Sequence, residues 1–400
     1  MLSLLAALVM APTGSAPKVS LSVDEIVEAA WQESGQEKAK EVNPADEKRH
    51  KDDLEKDKKI GREASAEIDK QLKASKDENM TARLKAIGAE MAEIANANNV
   101  SVMWGDQRHN VFEYEFKLVE GDDVNAFSLP GGTIYFYEGL MKFAESDDEV
   151  AGVVAHEISH ASFRHLDALR REQSKFDLAQ LPILIAAALG GGRDAMNALI
   201  AVQLVGAGVT SGWSVKAETS ADYGGLQYMK LSRYNAVGLL TFMERLGYRE
   251  RLSPQLDWGI YRTHPPTNER ANFITRSMNE FGIPIKRSQT TISLSARSLP
   301  APDGSFVVWF GDHEIATYRG ATAKDRGAQS VIRINAFLDS VPQMFQLSTN
   351  GDEILGNGRS LVNFEPEDMT AEQTLAKERD DALVTLRRII SELNLRLWRG

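Results

Sequence analysis

The sequence predicts an α+β fold, a mainly helical domain with a small sheet followed by a smaller C-terminal α+β domain. Three observations carry that prediction. Apolar residues recur at helical spacing between Ala64 and Ala97, where Ile68, Leu72, Leu84, Ile87, Met91 and Ile94 form one packing stripe. Alternating and β-branched runs then appear between Ser101 and Tyr137, the densest being Val111 to Phe116 and Thr133 to Tyr137. After Asn279 the composition changes: Ile292 to Ser295, Phe306 to Phe310 and Val331 to Ile334 read as short strands, and Thr370 to Trp398 reads as a closing helix.

Taken in order, residues 1–22 hold an apolar run with a small-residue end, which resembles a secretory signal although no basic residue precedes it. Residues 23–98 form a charged, helical lead-in, and 42–60 carry so few apolar side chains that an exposed helix or a disordered connector is expected. Residues 99–279 are the expected core. Within it, Pro130-Gly131-Gly132 marks a tight turn before the strand at Thr133. Two apolar stretches follow, Leu178 to Leu189 and Ala198 to Val209, each shorter than the roughly 18–20 residues a membrane helix needs. They read as a buried helical hairpin or a lid, with a peripheral membrane contact as the alternative. Residues 280–400 make the second domain. No internal repeat is legible, which argues against a helical-repeat appendage.

Composition narrows the function classes. The chain has 46 basic and 57 acidic residues, a net charge of −11, with no basic stripe, so nucleic-acid binding is not expected. It has no cysteine, which removes disulfides, thiol nucleophiles and thiolate metal sites and fits an oxidising compartment. Of seven histidines, three lie between 156 and 165.

Those histidines carry the chemistry. His156-Glu157-Ile158-Ser159-His160 puts two imidazoles one helical turn apart on one face, with a carboxylate beside the first. Neutral imidazoles suit zinc, and Glu157 can take a proton from the water that attacks a peptide bond. The preceding Val150 to Ala155 is too apolar for a solvated helix. A catalytic zinc needs a third protein ligand. Phe163 and Leu166 stand where a further histidine on the same helix would be sought. His165 points about a quarter-turn away on a continuous helix and reads as a capping or packing residue. Glu218 is the better candidate: it shares a helical face with Asp222, so one carboxylate can reach the metal and the other can accept a hydrogen bond from a ligand imidazole. A salt-bridged helix surface is the alternative reading of that pair.

With these residues and their neighbours, the chain resembles the M48 family of zinc endopeptidases, the group of HtpX-like membrane proteases and periplasmic envelope quality-control proteases. The resemblance rests on Asn125-Ala126-Phe127 with Pro130-Gly131-Gly132, Leu140, His156 to His160 with Arg164-His165, Glu218 to Gly224, and Thr263 to Arg270. It covers about residues 60–275. Ser159 and Ser220 depart from the family's commoner Gly and Glu, and neither is a ligand. The resemblance implies a gluzincin-type fold with one catalytic Zn2+ held by His156, His160 and Glu218. It also implies Glu157 as base, Asp222 supporting a ligand, and His264 near the oxyanion. Arg270 is expected to bind a carboxylate that orders its loop, and Asn125 to Phe127 to form a strand along which an extended substrate adds. The implied function is endopeptidase action on unfolded or misassembled proteins of the periplasm or cell envelope. An inactive or latent chaperone-like scaffold and a zinc aminopeptidase are the rivals, and nothing in the sequence fixes the oligomeric state.

Overall fold

A computed structural model of the chain describes residues 44–172, 213–252 and 268–397. The apolar run at the N-terminus, the stretches between 178 and 209, and His264 lie outside the described residues. No helix among the described residues is long and apolar enough to cross a membrane.

The core is organised around α4 (Asp147–Ser162). The elements before it are α1 (Pro44–Ile68), α2 (Glu78–Ala97), β1 (Glu115–Val119), β2 (Ala126–Ser128), β3 (Thr133–Tyr137) and α3 (Glu138–Phe143). Ser146 caps α4 by accepting from the Glu149 amide at 3.2 Å, and Asp147, Asp148 and Glu149 place acidic charge in its first turn. Val150, Val153, Val154 and Ile158 are buried on different faces of the helix, as expected for one enclosed by other elements. Its neighbours are α2, β2, α6 (Trp213–Leu231) and α7 (Val237–Leu252); α5 (His165–Glu172) precedes these two, and α8 (Asn268–Glu280) closes over α6.

The small sheet has the order β1-β3-β2, with β1 parallel and β2 antiparallel to β3. Alternation along the strands sends Phe116, Leu118, Ile134 and Phe136 into the core shared with α2 and α4. Phe127, Tyr135 and Tyr137 face the other way, onto Ile60, Ala64 and Ile68 of α1. The sheet is therefore covered on both sides. Gly131 and Gly132, at φ +83° and +100°, make the tight turn between β2 and β3 that residues of ordinary handedness would resist.

Two expectations need correction here, and a third is narrowed. The single stripe from Ile68 to Ile94 is divided between two helices, because Asp77 accepts from the Met80 amide at 2.8 Å and starts α2 afresh. Ile68 and Leu72 then serve the α1 side of the sheet, and Leu84, Ile87 and Met91 the α4 side. Of residues 42–60, the described part from Pro44 takes the helix alternative and is largely exposed over its first half, while the C-terminal part of the helix is docked: a Cβ on Gly61 would meet the Pro130 carbonyl oxygen at 1.8 Å. The strand signal near Ser101 is also overridden, since β1 begins only at Glu115. The Trp104 and Asp106 amides bond instead to Ser220 Oγ at 3.1 Å and the Phe163 carbonyl at 2.7 Å.

The C-terminal part is two successive βββα units around one apolar core. The first is β4 (Ala296–Pro300), β5 (Phe306–Phe310), β6 (His313–Tyr318) and α9 (Ala323–Asp339). The second is β7 (Leu347–Asn350), β8 (Glu353–Gly356), β9 (Arg359–Asn363) and α10 (Leu375–Arg396). Both sheets are antiparallel meanders, and in both the middle strand shifts register against the third, at Val308/Trp309 and at Ile354/Leu355. A structural repetition thus exists where the sequence reads as unrepeated. Each helix also crosses to the other unit: α9 packs on β4, β5, β6 and β9, and α10 on β6 and β8. Ile292 to Leu294 is a 3-10 turn and Val331 to Ile334 lies inside α9, not in strands. In α9 the burial of Gly327, Ser330, Ile334, Phe337 and Leu338 follows the helical period, which outweighs the β-propensity of Val-Ile-Arg-Ile.

Candidate metal centre

Helices α4 and α6 build the site together. Gly224 on α6 lets them approach, because a Cβ there would lie 2.4 Å from the Phe163 ring and 2.7 Å from Ser159 Oγ. The approach brings Glu218 of α6 against the two α4 histidines. His156 Nε2 and His160 Nε2 are 3.1 Å apart, and each lies 3.3 Å from an oxygen of Glu218. Four-coordinate zinc with ligands at about 2.0–2.1 Å spaces them at roughly 3.3 Å; here His156 faces Oε2 and His160 faces Oε1 of Glu218, and one donor atom from each of the three residues lies within 4.8 Å of the others, a grouping that could hold the ion.

The surrounding bonds fix which atoms face the cluster. Asp222 Oδ1 lies 2.9 Å from His156 Nδ1, so the ring's hydrogen sits there and Nε2 presents its lone pair to the cluster. Two imidazole nitrogens and a carboxylate converge in a largely buried space, a grouping that a cation or a proton within it would satisfy. Without metal, a proton takes that place: burial opposes the charged His156 ring, but Asp222 and Glu218 outweigh it and hold its pKa up at about 9. Arg270, from α8, donates through Nε and Nη2 to the two oxygens of Asp222, both at 2.8 Å, and its Nη1 lies 2.9 Å from Glu218 Oε2. Burial resists ionisation of Asp222, and the Arg270 guanidinium outweighs it, keeping the carboxyl below its usual range. Arg270 thus binds two carboxylates, Asp222 and Glu218, and the second belongs to the group of side chains that could hold a metal ion. Glu157 is buried beside His156.

The strand residues are placed differently from the three donors. β2 is the outer strand of the sheet, and its pairing with β3 runs through Asn125, Phe127 and Leu129, so the amides and carbonyls of Ala126 and Ser128 point to the free edge. The Phe127 ring stacks on Tyr135 at 5.0 Å in the α1-side core, and Asn125 and Ala126 are buried. These side chains hold the strand; any contact with a substrate would come from its backbone.

His165 is a neighbour of the candidate metal ligands that the sequence conceals. A continuous helix would carry it away from the metal face, but the helix ends at Ser162 and Arg164 takes a left-handed φ of +50°. This corner returns the ring to the site, with Nδ1 2.9 Å from His160 Nδ1 and Nε2 2.9 Å from the Trp104 carbonyl oxygen. Burial, and the neighbouring His160, push the His165 pKa well down, so the ring is neutral. No glycine or asparagine marks the corner in the sequence.

Comparison with known proteins agrees with this geometry. Residues 78–277 match Peptidase family M48. The chain is similar to the beta-barrel assembly-enhancing protease of Escherichia coli (strain K12), with 26% identity over 231 residues that cover 56% of this chain and 44% of that protein. It is 30% identical over 171 residues to metalloprotease LoiP of the same organism, covering 42% of this chain and 64% of LoiP. Similarity to mitochondrial metalloendopeptidase OMA1 of Schizosaccharomyces pombe is 29% over 169 residues, or 42% of this chain and 48% of the relative. The chain therefore spans less than two thirds of each of these relatives.

Proposed function

Because this chain belongs to peptidase family M48, we propose that it is a zinc-dependent endopeptidase cleaving internal bonds of unfolded or misassembled envelope proteins. The observation that carries the reading is the convergence of His156, His160 and Glu218, with one ligand atom of each within 4.8 Å of the others and with Glu157 on the same helix as the histidines. In this reading those three residues hold one zinc ion. When bound, zinc supplies a Lewis acid that polarises the scissile carbonyl and acidifies water.

The rest is done by the chain's own groups. Asp222 fixes the His156 tautomer, and Arg270 holds Asp222 and Glu218 in place. Glu157 takes the proton of the attacking water, whose oxygen adds to the carbonyl carbon. The same proton then passes to the departing amine as the C–N bond breaks. His264 is the proposed donor to the developing negative oxygen. The outward amides and carbonyls of Ala126 and Ser128 bind an extended substrate by strand addition, which reads backbone and suits unfolded chains. An envelope location is supported by the similarity to a beta-barrel assembly-enhancing protease.

An unstructured protein such as casein, incubated with the zinc-loaded chain, tests the proposal. Internal fragments should appear, and Glu157→Gln should slow their appearance by about 10²–10⁴-fold. Release of single N-terminal residues would establish an aminopeptidase instead. Binding of casein without cleavage, equal in parent and variant, would establish a scaffold.

A further inference from the structure

We propose that His165 is a positioning residue that sets the tautomer of the metal-facing His160, and that helix α1 braces it through a buried Asp57–Arg164 clamp. The inference rests on the zinc reading of His156, His160 and Glu218. It adds to that reading a helix, 44–68, lying wholly outside the residues that match the family.

The hydrogen-bond chain has one self-consistent direction. A backbone carbonyl only accepts, so the His165 nitrogen 2.9 Å from the Trp104 oxygen must carry the hydrogen. His165 Nδ1 is then an acceptor, and the hydrogen of its 2.9 Å contact belongs to His160 Nδ1. His160 Nε2 is left with its lone pair turned toward His156 and Glu218. Reversing the chain would set the lone pair of His165 Nε2 against the lone pairs of the carbonyl. His160 thus receives from a neutral ring what His156 receives from Asp222.

His165 reaches that place only because Arg164 turns the corner at φ +50°, a left-handed conformation that is unfavourable for an arginine and must be held by its surroundings. The holding groups are carboxylates. Arg164 donates from Nε and Nη2 to Asp57 at 2.5 and 3.1 Å, and from Nη1 to Asp106 at 2.9 Å. Asp57 is itself buried on α1, and His50 of the same helix meets Asn110 at 2.7 Å. Asn110 in turn donates to the carbonyl of Ser162, the last residue of α4, at 2.6 Å. Asp106 also closes the loop that presents the Trp104 carbonyl, since its amide bonds to the Phe163 carbonyl at 2.7 Å. Both ends of the His165 bond chain are therefore tied to α1 or to residues that α1 holds.

The test measures zinc affinity of the full chain by competition with a chromophoric chelator, beside thermal melting and the visible spectrum of the cobalt-substituted protein. His165→Leu should bind zinc about 10–100-fold more weakly and alter the cobalt spectrum. His165→Gln, whose amide can donate to the Trp104 carbonyl and accept from His160, should recover most of the loss. Asp57→Asn, remote from the ion, should weaken zinc binding about tenfold. Asp147→Asn, which removes the exposed pair with Arg83 and one of three acidic charges in the first turn of α4, should leave the affinity unchanged. Parental affinity in His165→Leu, whatever its melting temperature, overturns the positioning role. If that variant does not fold, parental affinity in Asp57→Asn overturns the brace, and His165→Gln binding zinc as weakly as the metal-ligand variant His160→Ala overturns the tautomer argument. A parent chain that binds no zinc would bring down the metal reading together with this one, whereas zinc binding indifferent to these variants brings down this one alone.

Discussion

Each half of the molecule holds a fully buried aspartate gripped by an arginine, and the two differ in what else they touch. Asp222 is held by Arg270 through two bonds of 2.8 Å, and among the described residues its other polar partner is the His156 ring. Asp368 is held by Arg326 through two bonds of 2.7 Å, and its other contacts are the backbone amides of Arg319 and Glu365. The second arrangement ties the turn at 366–368 to α9 and the end of β6, and every partner has a fixed charge or none. The first includes a ring that gains and loses a proton. An arginine clamp around a buried acid is thus common ground between structure and function, and the titratable partner separates them.

The comparison can be broken by mutating both acids. Asp222→Asn leaves the buried Arg270 short of a counter-charge and should destabilise the fold by about 3–5 kcal/mol in denaturant melts; Asp368→Asn should cost less, because the half-buried Arg326 keeps Glu365 and Glu367 as partners. Only Asp222→Asn should also weaken zinc binding, by about 10–100-fold. A comparable loss in folded Asp368→Asn would erase the distinction.

Next in size is Phe127→Ala, which opens the stacked pair with Tyr135 and should cost about 3 kcal/mol. Its effect is expected in the melting temperature and not in KM. A raised KM at unchanged stability would return the side chain to the substrate.

The titratable partner gives a smaller, signed effect. In metal-free protein His156 is held up at about 9 from an ordinary 6.5, so its contribution to stability is complete below 6.5 and lost as pH rises through about 9. Zinc must displace that proton, so affinity should rise by up to about tenfold per pH unit and level off near pH 9. Titration of zinc binding between pH 6 and 10 checks the slope; a flat profile would contradict it. The smallest effect is expected at Phe345, 85% exposed on the C-terminal half, where Phe345→Ser should change stability by no more than about 0.5 kcal/mol in the same melts.

What could be read from the sequence obeys the same divide between local and relayed constraints. His156 and His160 are fixed by helical spacing alone, and Glu218 and Asp222 by theirs, so the residues that converge were each visible as pairs. The α+β class, the glycine turn at 131–132 and the closing helix were legible for similarly local reasons. Arg164 was not, because nothing in its type marks a left-handed residue, and with it went the position of His165. The docking of α1 was hidden too: it relies on Asp57, Gly61 and Ser65 as much as on Ile60 and Ile68, and a charged helix with so thin a stripe looks solvated. Val331 to Ile334 misled through its β-branched composition, since Ile332 is exposed and only Ile334 is fully buried. The paired βββα units are not legible in the sequence because their likeness lies in strand order and bulge position, not in side chains.

The crossing of helices between those units has a consequence for synthesis. Strands β4 to β6 leave the ribosome with α9 close behind, yet α10, which covers β6, comes last in the chain. Buried side chains such as Ile315 and Tyr318 belong to a core that α10 completes, so the newborn sheet stays partly uncovered for the several seconds needed to translate the second unit. Growth from the N-terminus therefore cannot finish the C-terminal part piece by piece. It must wait for its final helix, and a nascent chain stalled before Leu375 would carry an open apolar face.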